Sequence, residues 1–200
     1  MSRLRPETTA REERGRRHDL VEPAELRAIA SPPRQRLVSA FEALGDASVR
    51  ELAAYLGRRP ASLYFHLEKL MEAGLVVEVG SRPAAHRREQ VYRLIARRLS
   101  LRGNLGDPEY GEALADLGRS IARASERDYV RAIEDGHAHL RGPQRNLALH
   151  HYHVHLRPRD RQRFVQLLDE LADFCIANND PERGAPLSFT ASLAPISPKP

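Results

Sequence analysis

Residues 48–74 read SVRELAAYLGRRPASLYFHLEKLMEAG, and the spacing within them decides the fold. Ser48 and Glu51 make a Ser-x-x-Glu capping box, in which hydroxyl and carboxylate each take up a backbone donor at a helix start. Leu52, Ala53 and Leu56 recur at helical spacing, and Gly57 stops the run, because glycine accepts the left-handed backbone that ends helices. After Arg58 and Arg59, Pro60 opens a second helix, predicted over 60–73, with Leu63, Leu67 and Leu70 on one face and Gly74 beyond its end. Two short amphipathic helices joined by a tight turn read as a helix-turn-helix.

Upstream, Pro23 and the Ser31, Pro32, Pro33 step punctuate two short helical stretches, with Ser31 as N-cap and Pro32 at the first helical position. Leu37, Val38, Phe41 and Leu44 follow at helical spacing before Gly45. Downstream the period changes: 75–79 (LVVEV) is apolar and β-branched, and 90–95 (QVYRLI) alternates. Between them 80–88 (GSRPAAHRR) reads as a basic hairpin loop. Three helices followed by a hairpin with a charged tip are a winged helix-turn-helix. It is expected over residues 21–100, behind a disordered basic arm over 1–20 that has high charge and no periodicity.

Beyond a Gly-containing linker at 101–107, Pro108 opens a long helix expected to run to about Leu140. Tyr110, Leu114, Leu117 and Ile121 lie on one face, and Val130 and Ile133 resume the pattern. Residues 147–156 (LALHHYHVHL) alternate as a strand, 157–178 read as a helix carrying Phe164, Leu167, Leu168, Leu171 and Phe174, and 186–196 read as a last strand before a Pro-rich tail. The expected class is therefore mainly α with small β (α+β). It comprises an N-terminal winged helix-turn-helix, a long linking or dimerisation helix, and a small C-terminal β-α-β element within a 108–200 dimerisation or sensor domain.

Charge divides the chain in the same place. Of 200 residues, 32 are basic and 27 acidic, for a net +5. Residues 1–100 hold 19 basic and 13 acidic groups, whereas residues 101–200 hold 13 and 14, so the excess lies wholly in the first half. That asymmetry points to a polyanion-binding half joined to a half with another task. Only Lys69 and Lys199 are lysines, and arginine's planar fork suits phosphates and guanine edges. No apolar run approaches the roughly 18 residues needed to span a bilayer. The charged N-terminus lacks the apolar core of a signal peptide, so a cytoplasmic protein is expected. The single cysteine, Cys175, rules out an internal disulfide framework and reads as a buried, inert residue beside Leu171 and Phe174.

The run from Val49 to Val76, with Ser62-Leu63-Tyr64-Phe65-His66-Leu67 ahead of Leu70-x-x-x-Gly74-Leu75-Val76, resembles the winged-helix repressors of the ArsR type over residues 31–96. The resemblance implies that the 60–73 helix lies in a DNA major groove and that the wing reaches phosphates or the minor groove. Residue chemistry agrees with it. With the three leucines facing inward, the opposite face presents Ala61, Ser62, Tyr64, Phe65 and Lys69. Ser62 and Tyr64 offer hydroxyls to base edges or phosphates, and Phe65 suits a thymine methyl. Arg58 and Arg59 sit at the helix start, where phosphates bind, and Arg82, Arg87 and Arg88 would be the wing contacts. The bland alternatives are packing of Phe65 and His66 within the domain, a Tyr64 that only covers helix surface, and a merely solvated wing loop. One departure stands out: Arg59 occupies the N-cap position, where Ser, Thr, Asn or Asp is favoured.

Paired half-sites on DNA favour a two-fold homodimer, with the 108–140 helix as its natural element. In the second half, His151, His153 and His155 would share one strand face, a way of presenting imidazoles to zinc, nickel or copper. The competing reading, a solvated polar face, weighs more, because no acidic or cysteine ligand sits at motif spacing and same-face positions are about 7 Å apart. An unknown small-molecule or metal effector is left open. No Gly-rich phosphate loop, His-Glu-x-x-His or Gly-x-Ser-x-Gly is present, so the expectation is a non-enzyme. The reading is a sequence-specific double-stranded DNA-binding transcriptional regulator, a dimeric repressor. The alternative is a winged-helix protein-interaction module that does not touch DNA.

Overall fold

The computed structural model describes residues 17–84 and 87–196. They form an α+β fold with helices α1 (Pro23–Ile29), α2 (Pro32–Leu44), α3 (Val49–Leu56), α4 (Tyr64–Glu72), α5 (Pro108–Glu134) and α6 (Pro158–Ala177). The strands are β1 (Arg17–Leu20), β2 (Ala47–Ser48), β3 (Val76–Ala84), β4 (Arg87–Leu94) and β5 (Arg98–Leu101). One sheet has the order β2-β4-β3 and is antiparallel, while β1 and β5 pair in parallel. No helix among the described residues is long and apolar enough to cross a membrane. The chain divides into two compact units, one running to Ile121 and the other from Ala122, so the division falls inside α5.

The first unit has a continuous core. Leu26 of α1, Leu37 and Phe41 of α2, Leu52 of α3 and Leu67 and Leu70 of α4 belong to one buried cluster. The capping box is as read: Ser48 N donates to the Glu51 carboxylate at 2.8 Å, and Glu51 N donates to Ser48 Oγ at 3.4 Å. Gly57 (φ 60°) and Gly74 (φ 71°) terminate the two helices of the turn motif in the left-handed region. At Gly74 two bonds close the end, from Gly74 N to Met71 O and from Leu75 N to Leu70 O, both 2.9 Å. Ser31 takes the N-cap position with Pro32 behind it, but its side chain makes no capping bond.

Several expectations are corrected. The arm over 1–20 does not extend to Leu20: Arg17–Leu20 is strand β1, paired with β5, and the rest of the arm lies outside the described residues. The pairing partner is remote in sequence, which is why local polarity read the segment as unstructured. The Gly-containing linker over 101–107 is held at both ends. Leu101 ends β5, and Gly103 N donates to the Tyr110 hydroxyl (3.1 Å), which donates to Leu20 O (3.0 Å). The long helix ends at Glu134, before Gly136 (φ 72°), short of the expected Leu140. Its first half packs Tyr110, Ala113 and Leu117 into the core of its own protomer.

In the second unit the β-α-β element reduces to its helix. Residues 147–156 and 186–196 carry no strand, and no residue over 122–196 is buried. Alternation predicts a strand only when a neighbouring strand satisfies its backbone, and none pairs with these segments among the described residues. His151 and His153 meet edge to face at 5.1 Å, but no group of three His, Cys, Asp or Glu is gathered for a metal among the described residues. Cys175 is exposed, not buried, because the apolar face of α6 is left uncovered by the described residues.

At the start of α1 a second capping box escaped the sequence reading. The Glu25 carboxylate accepts from Val21 N (2.9 Å) and Glu22 N (3.0 Å) and meets His18 Nε2 at 2.5 Å. Burial opposes its ionisation, but the His18 contact and the two backbone donors outweigh it and hold its pKa below the ordinary 4.5. A carboxyl depressed on folding adds stability above its unfolded pKa and loses it as pH falls through the folded one. The stability of the first unit is therefore expected to fall as pH drops below about 4.5, and Glu25→Gln should flatten that fall in urea titrations across this range.

Candidate nucleic-acid interface

The turn motif places its side chains by a short chain of local causes. The αL backbone at Gly57 lets Arg58 N reach back to Ala53 O (2.9 Å), which turns the chain out of α3. Pro60 cannot donate from its nitrogen, and 60–73 is not one helix: a 3₁₀ turn, Pro60–Ser62, precedes α4. Ser62 Oγ and Ser62 N both donate to Arg59 O, at 2.7 and 3.0 Å, which closes that turn, while Arg59 in the N-cap position makes no side-chain capping bond. Leu63, Leu67 and Leu70 are buried, which fixes the rotation of α4.

The opposite face is exposed as read. Tyr64 and Phe65 keep 52% and 59% of their surface in solvent, which excludes the packed alternative for Phe65. Arg58, Arg59, Ala61 and Ser62 are exposed beside them. Lys69 Nζ lies 5.8 Å over the Phe65 ring and pairs with Glu72 at 2.5 Å, so it is held close to the helix. His66 turns the other way: its Nδ1 is buried without a hydrogen-bond partner among the described residues, and burial, then the Arg34 charge, lower its pKa. The Tyr92 phenol of β4 is pushed above its ordinary 10.0 by burial first, then by Glu78 and Tyr64.

The wing differs from the loop expected over 80–88. β3 and β4 run on to Ala84 and Arg87, and an irregularity between Glu78 and Gly80 leaves Val79 unmatched. Arg82 and Arg88 thus belong to strands, and so does the Arg87 backbone. Arg82 is paired with Glu51, the carboxylate that also caps α3, and Arg50 meets Glu89 at 3.1 Å. Two ion pairs therefore tie the wing to the first helix of the turn motif. Arg88 donates to Ser81 Oγ and Ser81 O, both at 2.8 Å. Arg58 and Arg59 have no ion pair among the described residues, which leaves them as the open cations of this face.

A model described as a helix-turn-helix domain matches residues 29–79, from the end of α1 into β3. Residues 29–79 are a helix-turn-helix domain. The crystal structure of RV1404 from Mycobacterium tuberculosis is similar at 17% identity over 75% of this chain and 81% of that one, with a TM-score of 0.30. No curated protein matches the chain. The helix-turn-helix domain points to DNA binding and a regulatory role, and domains of this kind are generally non-enzymatic. Sequence reasoning missed Tyr55, exposed on α3, and the pairs Glu51–Arg82 and Asp46–Arg93 that brace the domain against the strands following it. Those pairs join residues 31 and 47 apart, a separation at which no local spacing rule operates.

Proposed function

We propose that this chain is a sequence-specific double-stranded DNA-binding transcriptional regulator, acting as a dimeric repressor similar to the ArsR type. Residues 21–100 bind DNA, and residues 108–200 supply dimerisation and receive any effector. The face of α4 carries the reading: Tyr64, Phe65 and Ser62 are exposed on a helix rotated by three buried leucines, with Arg58 and Arg59 at its start. A helix of this kind fits the major groove, where hydroxyl and apolar groups distinguish base pairs, while the arginines neutralise phosphates. The β3–β4 wing brings Arg82, Arg87 and Arg88 to the backbone or minor groove, with Arg82 exchanging Glu51 for a phosphate.

A protein-interaction module is the second reading, favoured by two exposed aromatics on a helix whose lysine is already paired. Footprinting on the gene's own upstream DNA separates the two. Duplex binding should weaken steeply with salt, and Arg58→Ala/Arg59→Ala should reduce the salt slope by about 2, roughly one per phosphate contact. Tyr64→Ala should change sequence preference by about 1–3 kcal/mol at one position, while Arg87→Ala/Arg88→Ala should weaken all sites alike. Protection that is absent, or indifferent to salt, favours the protein-interaction module.

A further inference from the structure

The second unit poses a physical problem that the helix-turn-helix domain does not solve. Helix α6 carries Phe164, Leu167, Leu168, Leu171 and Phe174 at the spacing of one helical face, yet it has no buried residue, and Phe174 is 63% exposed. A 20-residue amphipathic helix derives most of its stability from covering that face. Its charges state what the cover is. The first half of α6, 158–166, together with its N-cap Arg157, holds four arginines and one acid, for a net +3; the second half, 167–177, holds three acids and no base, for a net −3. This polarity runs against the helix dipole, which favours anions at the N-terminus and cations at the C-terminus. It is complementary to one simple partner, a copy of the same helix running the other way.

We infer that α6 pairs antiparallel with α6 of a second copy, burying the Phe164–Phe174 stripe across a two-fold axis near Leu167 and Leu168. Symmetry makes each contact occur twice. Arg163 and Glu170 lie on one edge of the stripe, as their 2.7 Å contact along the helix demonstrates. With the axis near the helix centre, Arg163 of one copy lies about two residues, or ~3 Å, along the axis from Glu170 of the other, within reach of its long side chain, and reciprocally. The opposed helix dipoles also favour this direction over a parallel pair, in which arginine would face arginine.

The inference extends the dimer reading above but involves no DNA contact. Sedimentation of the full-length chain without DNA should show a dimer. Arg163→Glu and Glu170→Arg should each weaken it about tenfold, because each leaves like charges opposed twice. Mixing the two variants should restore a heterodimer, which tells a charge effect from misfolding and from the contact within one helix. A nitroxide at Cys175, the single cysteine, should report a pair separated by about 22 Å along the axis, from the ~1.5 Å rise per residue over some 15 residues. A parallel pair would instead place the labels about 10 Å apart, the interaxial spacing. A monomeric wild type, variants that dimerise undiminished, a mixture that stays monomeric, or the short label distance would each overturn the inference. A wild-type dimer that ignores duplex DNA would keep it and remove the regulator reading, whereas a monomer that binds duplex would do the reverse.

Discussion

Leu70→Ala is expected to lower the stability of the first unit by about 2–5 kcal/mol, the range for a large-to-small change in a closed core. Leu70 is fully buried, and it belongs to a helix packed against α1, α2 and β3. Its backbone carbonyl is also the acceptor that closes the end of α4, with Leu75, equally buried, packed as the next residue in that cap. The substitution removes apolar area and leaves a void that neighbours on these three elements cannot all move to fill. The urea midpoint should fall with an unchanged slope. Phe65→Ala, five residues earlier on the exposed face, should shift stability by no more than about 0.5 kcal/mol. Equal effects from the two substitutions would mean that the rotation of α4, and with it the assignment of the recognition face, is wrong.

Gly103→Ala should be nearly as damaging, although glycine 103 has an ordinary φ. A Cβ at that position would lie 2.1 Å from Cε2 and 2.2 Å from Cζ of Tyr110. The ring cannot step aside, since it is buried and its hydroxyl joins Gly103 N to Leu20 O. Either the chain after β5 moves and strains the β1–β5 pair, or Tyr110 leaves the core. Overpacking of this kind costs about 1–3 kcal/mol, and each buried polar group left unpaired adds about 1–3 kcal/mol. Thermal unfolding of the variant should show the loss. Gly111→Ala is the control, because nothing lies within 4 Å of a Cβ there and the position is helical. That change should stabilise by about 0.5–1 kcal/mol, the propensity difference of alanine over glycine. A neutral Gly103→Ala would show that the Tyr110 clasp is not tight.

The helix-turn-helix was legible because every signal in it is local. Ser48 and Glu51 are three residues apart, Leu63, Leu67 and Leu70 are set by one helical period, and Gly57 and Gly74 answer to backbone geometry alone. The exposed face of α4 followed from the same leucines. What failed to show was nonlocal. Strand β1 exists because of β5, some eighty residues away, and the wing arginines Arg82 and Arg88 acquired partners on α3 and β3. The histidine stretch misled for the opposite reason: 147–156 has the alternation of a strand but no neighbour among the described residues to complete its ladder.

Sequence alone therefore determined the helices, the turn between them and the side of α4 that faces out, since those depend on residues within a few positions of one another. Only the tertiary structure decided that 17–20 is a strand, that Gly103 packs against the Tyr110 ring, and that Glu51 both caps α3 and braces the wing. Each of these is a contact between distant segments, formed once a core has brought them together. Periodicity says which face of a segment is apolar, and only packing says what, if anything, covers it.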